Sequence, residues 1–456
     1  MHTDINAFRQ GDIRGFFPHE INEGFAYQLG LAFAHYFNPT GSITTGRDQR
    51  ASSPLLHAAL NQGLSDGGAH VLNIGLCPTE LIYFSATLPD IGGAIMVTAS
   101  HNPASYNGFK PVLRNAKAIT HTNGLLRLRN AVATGNLSKK QDKGLIESFN
   151  PLVGYLDFLC QRFSALSGLN IKLAANGMNG CASVIAEPLF KRLGIDADWL
   201  YGEPSVDFPK KGPDPVRIKY LEKMKKFMGG KDYSLGLAWD GDGDRCLFFD
   251  HNGEFYSTYY IIGLLVQATL TNHPGAAIVF DPKTHWNTID LINRYGGRPV
   301  QSKTGHAFVK QKMSEVDAAY GGEHSAHHFF RELKYSDSGM FPWLMLLEYQ
   351  QAMGQDVSAY IEKRKECFQV LPEVNLQLSD LKRAYEKLAS EYRDKSIHFD
   401  TFDGHSYEFK EGWRFNIRAS NTEPLIRINL ESKNGISLIE GKLQELVSLL
   451  RPWIID

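Results

Sequence analysis

Short apolar runs that end in polar, glycine-bearing loops recur along most of the chain. Ile43-Thr44-Thr45-Gly46-Arg47-Asp48, Ile171-Lys172-Leu173-Ala174-Ala175-Asn176-Gly177 and Ala277-Ile278-Val279-Phe280-Asp281-Pro282-Lys283 each read as a strand entering a loop. Helical spacing follows, from Pro54 to Leu60 after the first run and from Val184 to Leu193 after the second. Strands alternating with helices predict parallel or mixed α/β sheets, and three similar openings suggest three related domains. The C-terminal stretch has another rhythm. Trp413, Phe415 and Ile417 alternate with Arg414, Asn416 and Arg418, and Ile426, Ile428 and Leu430 alternate with Arg427, Asn429 and Glu431. Two strands thus flank a polar loop, and a helix with Ile436, Ile439, Leu443, Leu446, Val447 and Leu450 on one face closes an α+β domain. Breaks near Gly144, after Asp250 and within residues 363–372 predict domains at 1–145, 146–250, 251–365 and 366–456.

A length of 456 residues is too great for one ordinary core, and 43% hydrophobic residues suffice to fill several. The 48 basic residues balance 49 acidic ones, so no global field draws in nucleic acid or an anionic membrane, and an anionic ligand must be held by a local cluster. Five scattered cysteines, without a Cys-x-x-Cys pair, suit reduced thiols in a reducing compartment. No stretch approaches the ~20 apolar residues of a membrane span, and the N-terminus lacks a basic region followed by an apolar core. A cytoplasmic protein is expected.

The densest chemistry lies at Asp240-Gly241-Asp242-Gly243-Asp244-Arg245, directly after the apolar run Leu235 to Trp239. Alternation in an extended backbone would turn all three carboxylates to one side, where they repel unless a cation sits between them. Oxygen-only ligands favour Mg²⁺, Mn²⁺ or Ca²⁺. An EF-hand loop needs Gly at its sixth position and Glu at its twelfth, and Arg245 and His251 stand there instead. A solvated acidic turn is the plainer reading. Arg245, however, adds a guanidinium suited to bidentate capture of a phosphate.

Three further clusters stand out. Ile95 to Pro103 reads as a strand running into a turn, with Ser100 at its exposed point and His101 and Lys110 as nearby cations, or else as an ordinary serine in a polar loop. No Gly-x-Ser-x-Gly surrounds Ser100, which speaks against a hydrolase elbow. Gly321-Gly322-Glu323-His324-Ser325-Ala326-His327-His328 reads as a flexible hinge bearing Glu323 and Ser325, both able to bond sugar hydroxyls. A zinc site is the rival, since His324, His327 and His328 have helical spacing. Arg418-Ala419-Ser420-Asn421-Thr422-Glu423-Pro424, with Arg427 nearby, offers a phosphate cradle or a plain turn.

In order and spacing, Thr98-Ala99-Ser100-His101-Asn102-Pro103, the Asp240 to Arg245 run, Gly322 to His327 and Arg418 to Pro424 resemble the α-D-phosphohexomutase family, most closely its bacterial phosphomannomutase branch. The resemblance spans essentially the whole chain from Asp12-Ile13-Arg14-Gly15 onward. It implies a heart-shaped protein of three related mixed α/β domains and a C-terminal α+β domain around a central cleft, with Ser100 as phosphoryl carrier. It further implies that Asp240, Asp242 and Asp244 hold Mg²⁺ with a Ser100 phosphate oxygen, and that Glu323 and Ser325 read sugar hydroxyls. Arg418, Ser420, Asn421 and Thr422 would grip the phosphate not being transferred, with Arg427 beside them. Arg14, Lys110, Arg245, Lys283, His306 and His327 match other cleft positions, Lys110 and His327 being the proton-transfer candidates and His101 a neighbour of the serine. Two departures stand out: Gln10-Gly11 where the family has an aromatic residue before Asp12, and His324 where close relatives carry Met.

The activity so implied is the reversible conversion of mannose 1-phosphate and mannose 6-phosphate, with a hexose 1,6-bisphosphate as intermediate and activator, by a monomer or weak homodimer. Phosphoglucomutase or dual specificity, phosphoglucosamine mutase, and a non-catalytic sugar-phosphate binding protein are the alternatives.

Overall fold

The computed structural model describes residues 7–9, 11–37, 40–208, 212–354, 356–419 and 425–455. Four sheets follow one another along the chain. The first holds β1 (Ile13–Phe16), β2 (Ser42–Arg47), β3 (Val71–Leu76), β4 (Ile91–Val97), β5 (Tyr106–Leu113), β6 (Lys117–Ala118) and β7 (Ile146–Ser148). The second holds β8 (Lys172–Asn176), β9 (Asp196–Leu200), β10 (Leu235–Trp239), β11 (Cys246–Phe249) and β12 (Phe255–Tyr256). The third holds β13 (Ala277–Phe280), β14 (Arg298–Gln301), β15 (Tyr320–Gly322), β16 (His328–Phe330) and β17 (Ser336–Asp337). In the fourth are β18 (Gln369–Val370), β19 (Val374–Leu376), β20 (His398–Asp400), β21 (His405–Phe409), β22 (Trp413–Ala419) and β23 (Ile426–Ser432).

The second and third sheets share one topology. Two strands flank the first in parallel, and a fourth and fifth are added antiparallel, giving the orders β9-β8-β10-β11-β12 and β14-β13-β15-β16-β17. The run β3-β2-β4-β5 of the first sheet repeats the pattern. The three openings noted in the sequence are thus the first strands of three like-wound units. Their centres are apolar throughout because helices cover both faces: every residue of β4, β10 and β13 is buried. Two sheets overrun the expected domain limits. β7 pairs with β3 beyond residue 145, and β12 pairs with β11 beyond residue 250, because each completes an edge of the preceding sheet.

One apolar core joins the three units, running from Leu81 and Tyr83 through Leu173 and Trp239 to Ile262 and Phe341. At their junction lies Glu80, buried at the start of the helix Thr79–Ser85. Its carboxylate accepts from Tyr155 Oη of the second unit (2.8 Å), and from Ser338 Oγ (2.9 Å), Gly339 N (2.6 Å) and Met340 N (3.1 Å) of the third. The fourth domain has its own core around Tyr407, Phe415, Ile428 and Leu446. One bond to the third is Glu431, which accepts from Tyr259 Oη (2.5 Å) and from Trp286 N (2.9 Å), at the first turn of the helix Trp286–Arg294, and from Arg414 of its own sheet. A carboxylate there offsets the helix dipole as well as a free amide.

Burial pushes Glu80 from 4.5 up to about 7, against the four donors that favour its ionised form. Between those pH values the folded chain keeps a proton that the unfolded chain has released, so this group's stabilisation is complete below pH 4.5 and is lost as pH rises through about 7. Glu80→Gln has no such proton to lose. Thermal melts from about pH 5 to about pH 8 are expected to show a smaller loss of Tm in that variant than in wild type.

Candidate functional site

The three chemical clusters of the first three units occupy one topological position, the connection from the third strand to the fourth. Ser100 lies between β4 and β5, Asp240 to Asp244 between β10 and β11, and Glu323 to His327 between β15 and β16. The aspartate segment is not extended. It is a tight turn closing the β10–β11 hairpin, with Trp239 opposite Cys246 and Gly243 at φ +72°, so the convergence of the carboxylates comes from the turn rather than from strand alternation. A bridge pairs Arg245 with His327, joining two of the hairpins.

Ser100 is buried, at 3% exposure, and not at an exposed point. The aspartate hairpin covers its hydroxyl, and Arg50 sets the course of its loop. The Arg50 guanidinium donates to the carbonyls of Ser100 (2.8 Å), Asn102 (2.9 Å), Pro103 (2.7 Å) and Tyr106 (2.9 Å), folding the loop back against the sheet. Asp48 balances that charge through Arg50 Nε at 3.0 Å and also receives Thr98 Oγ1 at 2.8 Å, while Thr98 accepts from Ser100 N at 2.8 Å. Ser100 is left at φ +50°, the left-handed region, with its hydroxyl turned toward the aspartate hairpin.

Ser100 Oγ donates to Asp240 Oδ2 at 2.7 Å, lies 3.2 Å from His101 Nδ1 and accepts from Arg245 Nη2 at 3.3 Å. Arg245 also bonds Asp240 through Nε (2.9 Å) and Nη2 (2.7 Å). Lys110, on β5, places Nζ 2.7 Å from Asp242 and 2.5 Å from Asp244, and Thr79 Oγ1 donates to Asp242 at 2.6 Å. All three aspartates are wholly buried. Burial together with its two acidic neighbours pushes Asp240 up to about 7, with Arg245 opposing. Burial also raises Asp244, but Lys110 and Arg245 outweigh it and hold that carboxyl below its usual value. The carboxylates come within 4.8 Å of one another, and Asp242 Oδ1 is buried without a donor, so this hairpin can hold a metal ion.

The third hairpin differs from its sequence reading. Gly321 and Gly322 are buried strand residues of β15, not a hinge: a Cβ at Gly321 would lie 2.5 Å from Met313 Sδ. The histidines do not share a helical face. His328 is on β16 with Nδ1 2.7 Å from Tyr320 Oη, while the backbone N of His324 bonds Asp281, so the set has no common zinc position. Ser325 Oγ lies 2.9 Å from His327 Nδ1 and Glu323 3.5 Å from it. Glu323 accepts from Gly305 N at 2.6 Å, and burial beside Asp281 pushes it up to about 8. Burial holds His101, His306 and His327 below the usual histidine value. His306 starts the helix His306–Val316, its ring 6.5 Å from that of His327.

Arg14 joins the serine loop through Asn102 at 2.5 Å and pairs with Asp12 at 2.5 Å. Gly11, one of the two departures, packs so closely that a Cβ would lie 2.8 Å from that of Ala307, beside His306. Lys283 bridges to the fourth domain, 3.7 Å from Asp281 and 3.6 Å from Glu373, and Arg427 meets Glu373 at 3.3 Å. Arg418 lies 3.8 Å from Asp403, whose carboxylate takes two bonds from Thr304. Ser420, Asn421, Thr422 and Gln10 lie outside the described residues. Asp48, Arg50, Thr79 and Glu373 were not singled out from the sequence. Only Asp48 carried a signal, as the polar end of the first strand.

Four family models match in order: phosphoglucomutase/phosphomannomutase alpha/beta/alpha domain I over residues 6–132, domain II over 153–253, domain III over 257–368, and the C-terminal domain over 373–439. The chain belongs to the phosphoglucomutase/phosphomannomutase family. Its members are mutases, enzymes of the isomerase class. A Xanthomonas campestris protein described as phosphohexose mutases is 40% identical over 98% of this chain and 99% of its own length. A phosphomannomutase from Escherichia coli is 39% identical over 98% of this chain and 100% of its own. A solved family member from Burkholderia thailandensis superposes with a TM-score of 0.87 at 28% identity, covering 99% of this chain and 98% of that one. Among the described residues, no helix is long and apolar enough to cross a membrane.

Lysine keeps the charge beside Asp48 but cannot reproduce a four-carbonyl fork, and each buried carbonyl left without a donor costs about 1–3 kcal/mol. Arg50→Lys is therefore expected to lower Tm and to speed amide exchange across residues 100–106, leaving the helix Ser53–Asp66 protected.

Proposed function

We propose that the protein interconverts mannose 1-phosphate and mannose 6-phosphate, with Ser100 as the phosphoryl carrier. The observation that carries this reading is the position of Ser100 Oγ, 2.7 Å from the aspartate hairpin and within reach of Arg245. In the forward half-reaction the bond between Ser100 Oγ and phosphorus breaks as a bond from phosphorus to O6 forms, giving a hexose 1,6-bisphosphate. After reorientation the O1–phosphorus bond breaks, the phosphoryl group returns to Ser100, and mannose 6-phosphate leaves. The same bisphosphate, added in trace, primes unphosphorylated enzyme.

His327, free to take a proton at Nε2, receives the hydroxyl proton in one half-reaction and returns it in the other, and the Lys110 ammonium, held protonated by Asp242 and Asp244 against its burial, donates to bridging oxygens. Arg245 and Arg14 neutralise the phosphoryl oxygens, and His101 and His306 line their path. Glu323 and Ser325 read sugar hydroxyls, while Lys283, Arg418, Ser420, Asn421, Thr422 and Arg427 hold the phosphate that stays. Mg²⁺, which Asp240, Asp242 and Asp244 would hold together with an oxygen of the Ser100 phosphate, supplies Lewis-acid stabilisation of phosphoryl charge. A second reading, dual specificity for mannose and glucose phosphates, is favoured by the 40% identical relative described as phosphohexose mutases.

Turnover of mannose, glucose and glucosamine 1-phosphates, measured with Mg²⁺ and a bisphosphate activator, separates these readings; inactivity on all three sinks them together. Ser100→Ala is expected to lose both the phosphorylated fraction seen by intact mass and all activity. Asp242→Asn is expected to stay folded while metal-dependent turnover falls by at least about 100-fold. Arg418→Ala should raise KM and let the bisphosphate escape, and an unchanged KM would refute the phosphate grip.

A further inference from the structure

Beyond the aspartate hairpin a second group of ligands converges. Asp337 ends β17, a strand that pairs with β16, and its carboxylate is 1% exposed. One oxygen, Oδ1, meets Lys310 Nζ at 2.6 Å, and that ammonium also sits 3.5 Å from the centre of the Tyr83 ring. The Oδ1 contact is an ion pair rather than an aligned hydrogen bond, and the other oxygen, Oδ2, also without a hydrogen-bond donor, lies 4.0 Å from His327 Nε2. Asp244 is arranged in the same way. Its Oδ2 takes Lys110 at 2.5 Å, while Oδ1, buried and without a donor, lies 3.7 Å from the same imidazole nitrogen. Each carboxylate thus spends one oxygen on a lysine and aims the other at His327 Nε2.

Separations of 3.7 and 4.0 Å are too long for hydrogen bonds. They match the spacing of donors around a shared ion, since two ligands each about 2.0–2.2 Å from a metal stand roughly 3–4 Å apart. The far side of the ring supports the same assignment. Ser325 Oγ at 2.9 Å and Glu323 at 3.5 Å face Nδ1 and can accept its proton, the tautomer that leaves the Nε2 lone pair toward the two carboxylates.

We infer that Asp244 Oδ1, Asp337 Oδ2 and His327 Nε2 form a second metal site, selective for a borderline transition ion such as Zn²⁺ over Mg²⁺. Selectivity follows from the imidazole, because Mg²⁺ prefers oxygen ligands and Zn²⁺ takes nitrogen readily. Charge permits one such ion. Asp242, Asp244 and Asp337 supply three negative charges, and Lys110 and Lys310 two positive ones, a surplus of one negative charge within contact distance. The site rests on geometry alone. Its consequence for turnover rests on the proposed role of His327: an ion on Nε2 occupies the lone pair that would receive the substrate proton, so Zn²⁺ inhibits.

Wild-type crystals soaked with one equivalent of ZnCl₂ in the absence of Mg²⁺ test the inference directly, through anomalous scattering at the zinc edge. The expected peak lies among Asp244, His327 and Asp337. A peak confined to Asp240, Asp242 and Asp244, or none, overturns it. In solution, Asp337→Asn is expected to bind Zn²⁺ at least about tenfold more weakly than wild type in a chelator-competition titration, with Mg²⁺ affinity unchanged. Equal Zn²⁺ affinity in the variant overturns the site, and the crystal measurement decides the matter should the variant fail to fold.

Discussion

Three carboxylates held in one buried turn repel one another, and the rest of the site is arranged around that repulsion. The β10–β11 hairpin cannot neutralise itself, since Arg245 reaches only Asp240 directly. The missing charge comes from another unit: Lys110 on β5 serves Asp242 and Asp244, and Thr79 from the same unit donates to Asp242. The aspartate turn is therefore stable only when the first two units are packed together, which brings Ser100 to Asp240 by the same contact. Folding and the assembly of chemistry are one event here. Glu80, the residue after Thr79, extends the seam to the third unit and fixes Gly339, where a Cβ would lie 2.2 Å from Gly243 O of the aspartate turn.

Use of one topological position in three units gives the cleft its economy. In each like-wound sheet the third strand is central and buried, and its turn into an antiparallel fourth strand opens at the same end. A serine loop, an aspartate turn and a glutamate–histidine turn placed there face one another once the units share a core. The strands hold the loops rigidly; packing between units sets the distances. The fourth domain is joined differently, through Glu431 on a helix end, the ion pair of Glu373 with Lys283 and the hydrogen bonds that Thr304 donates to Asp403.

Much of this was legible in the sequence because it depends on local pattern. Buried central strands read as continuous apolar runs, β22 and β23 as alternation, and the four motifs as dense polar loops following them. The geometry within the motifs was not legible. Asp-Gly-Asp-Gly-Asp has the period of a strand and the glycines of a turn, and only pairing of Trp239 with Cys246 decides for the turn. Ser100 read as exposed because nothing near it in sequence covers it; Arg50 holds its carbonyl from fifty residues away, and Asp240 and Arg245 cover its hydroxyl. His324, His327 and His328 have helical spacing, but the strand pairing of Gly322 with His328 overrides it. Asp337 gave no signal, since a lone Asp before Ser-Gly looks like any turn until tertiary packing sets it beside His327.

Arg50 reads no side chain of the serine loop. All four of its contacts in the serine loop go to carbonyl oxygens, which every residue type possesses. The course of the loop is thereby insulated from its own spelling: the exposed Ala104 and Ser105 can be replaced without loosening the anchor beneath them. Such a foundation lets the exposed tip of the loop vary while the Ser100 hydroxyl stays against Asp240.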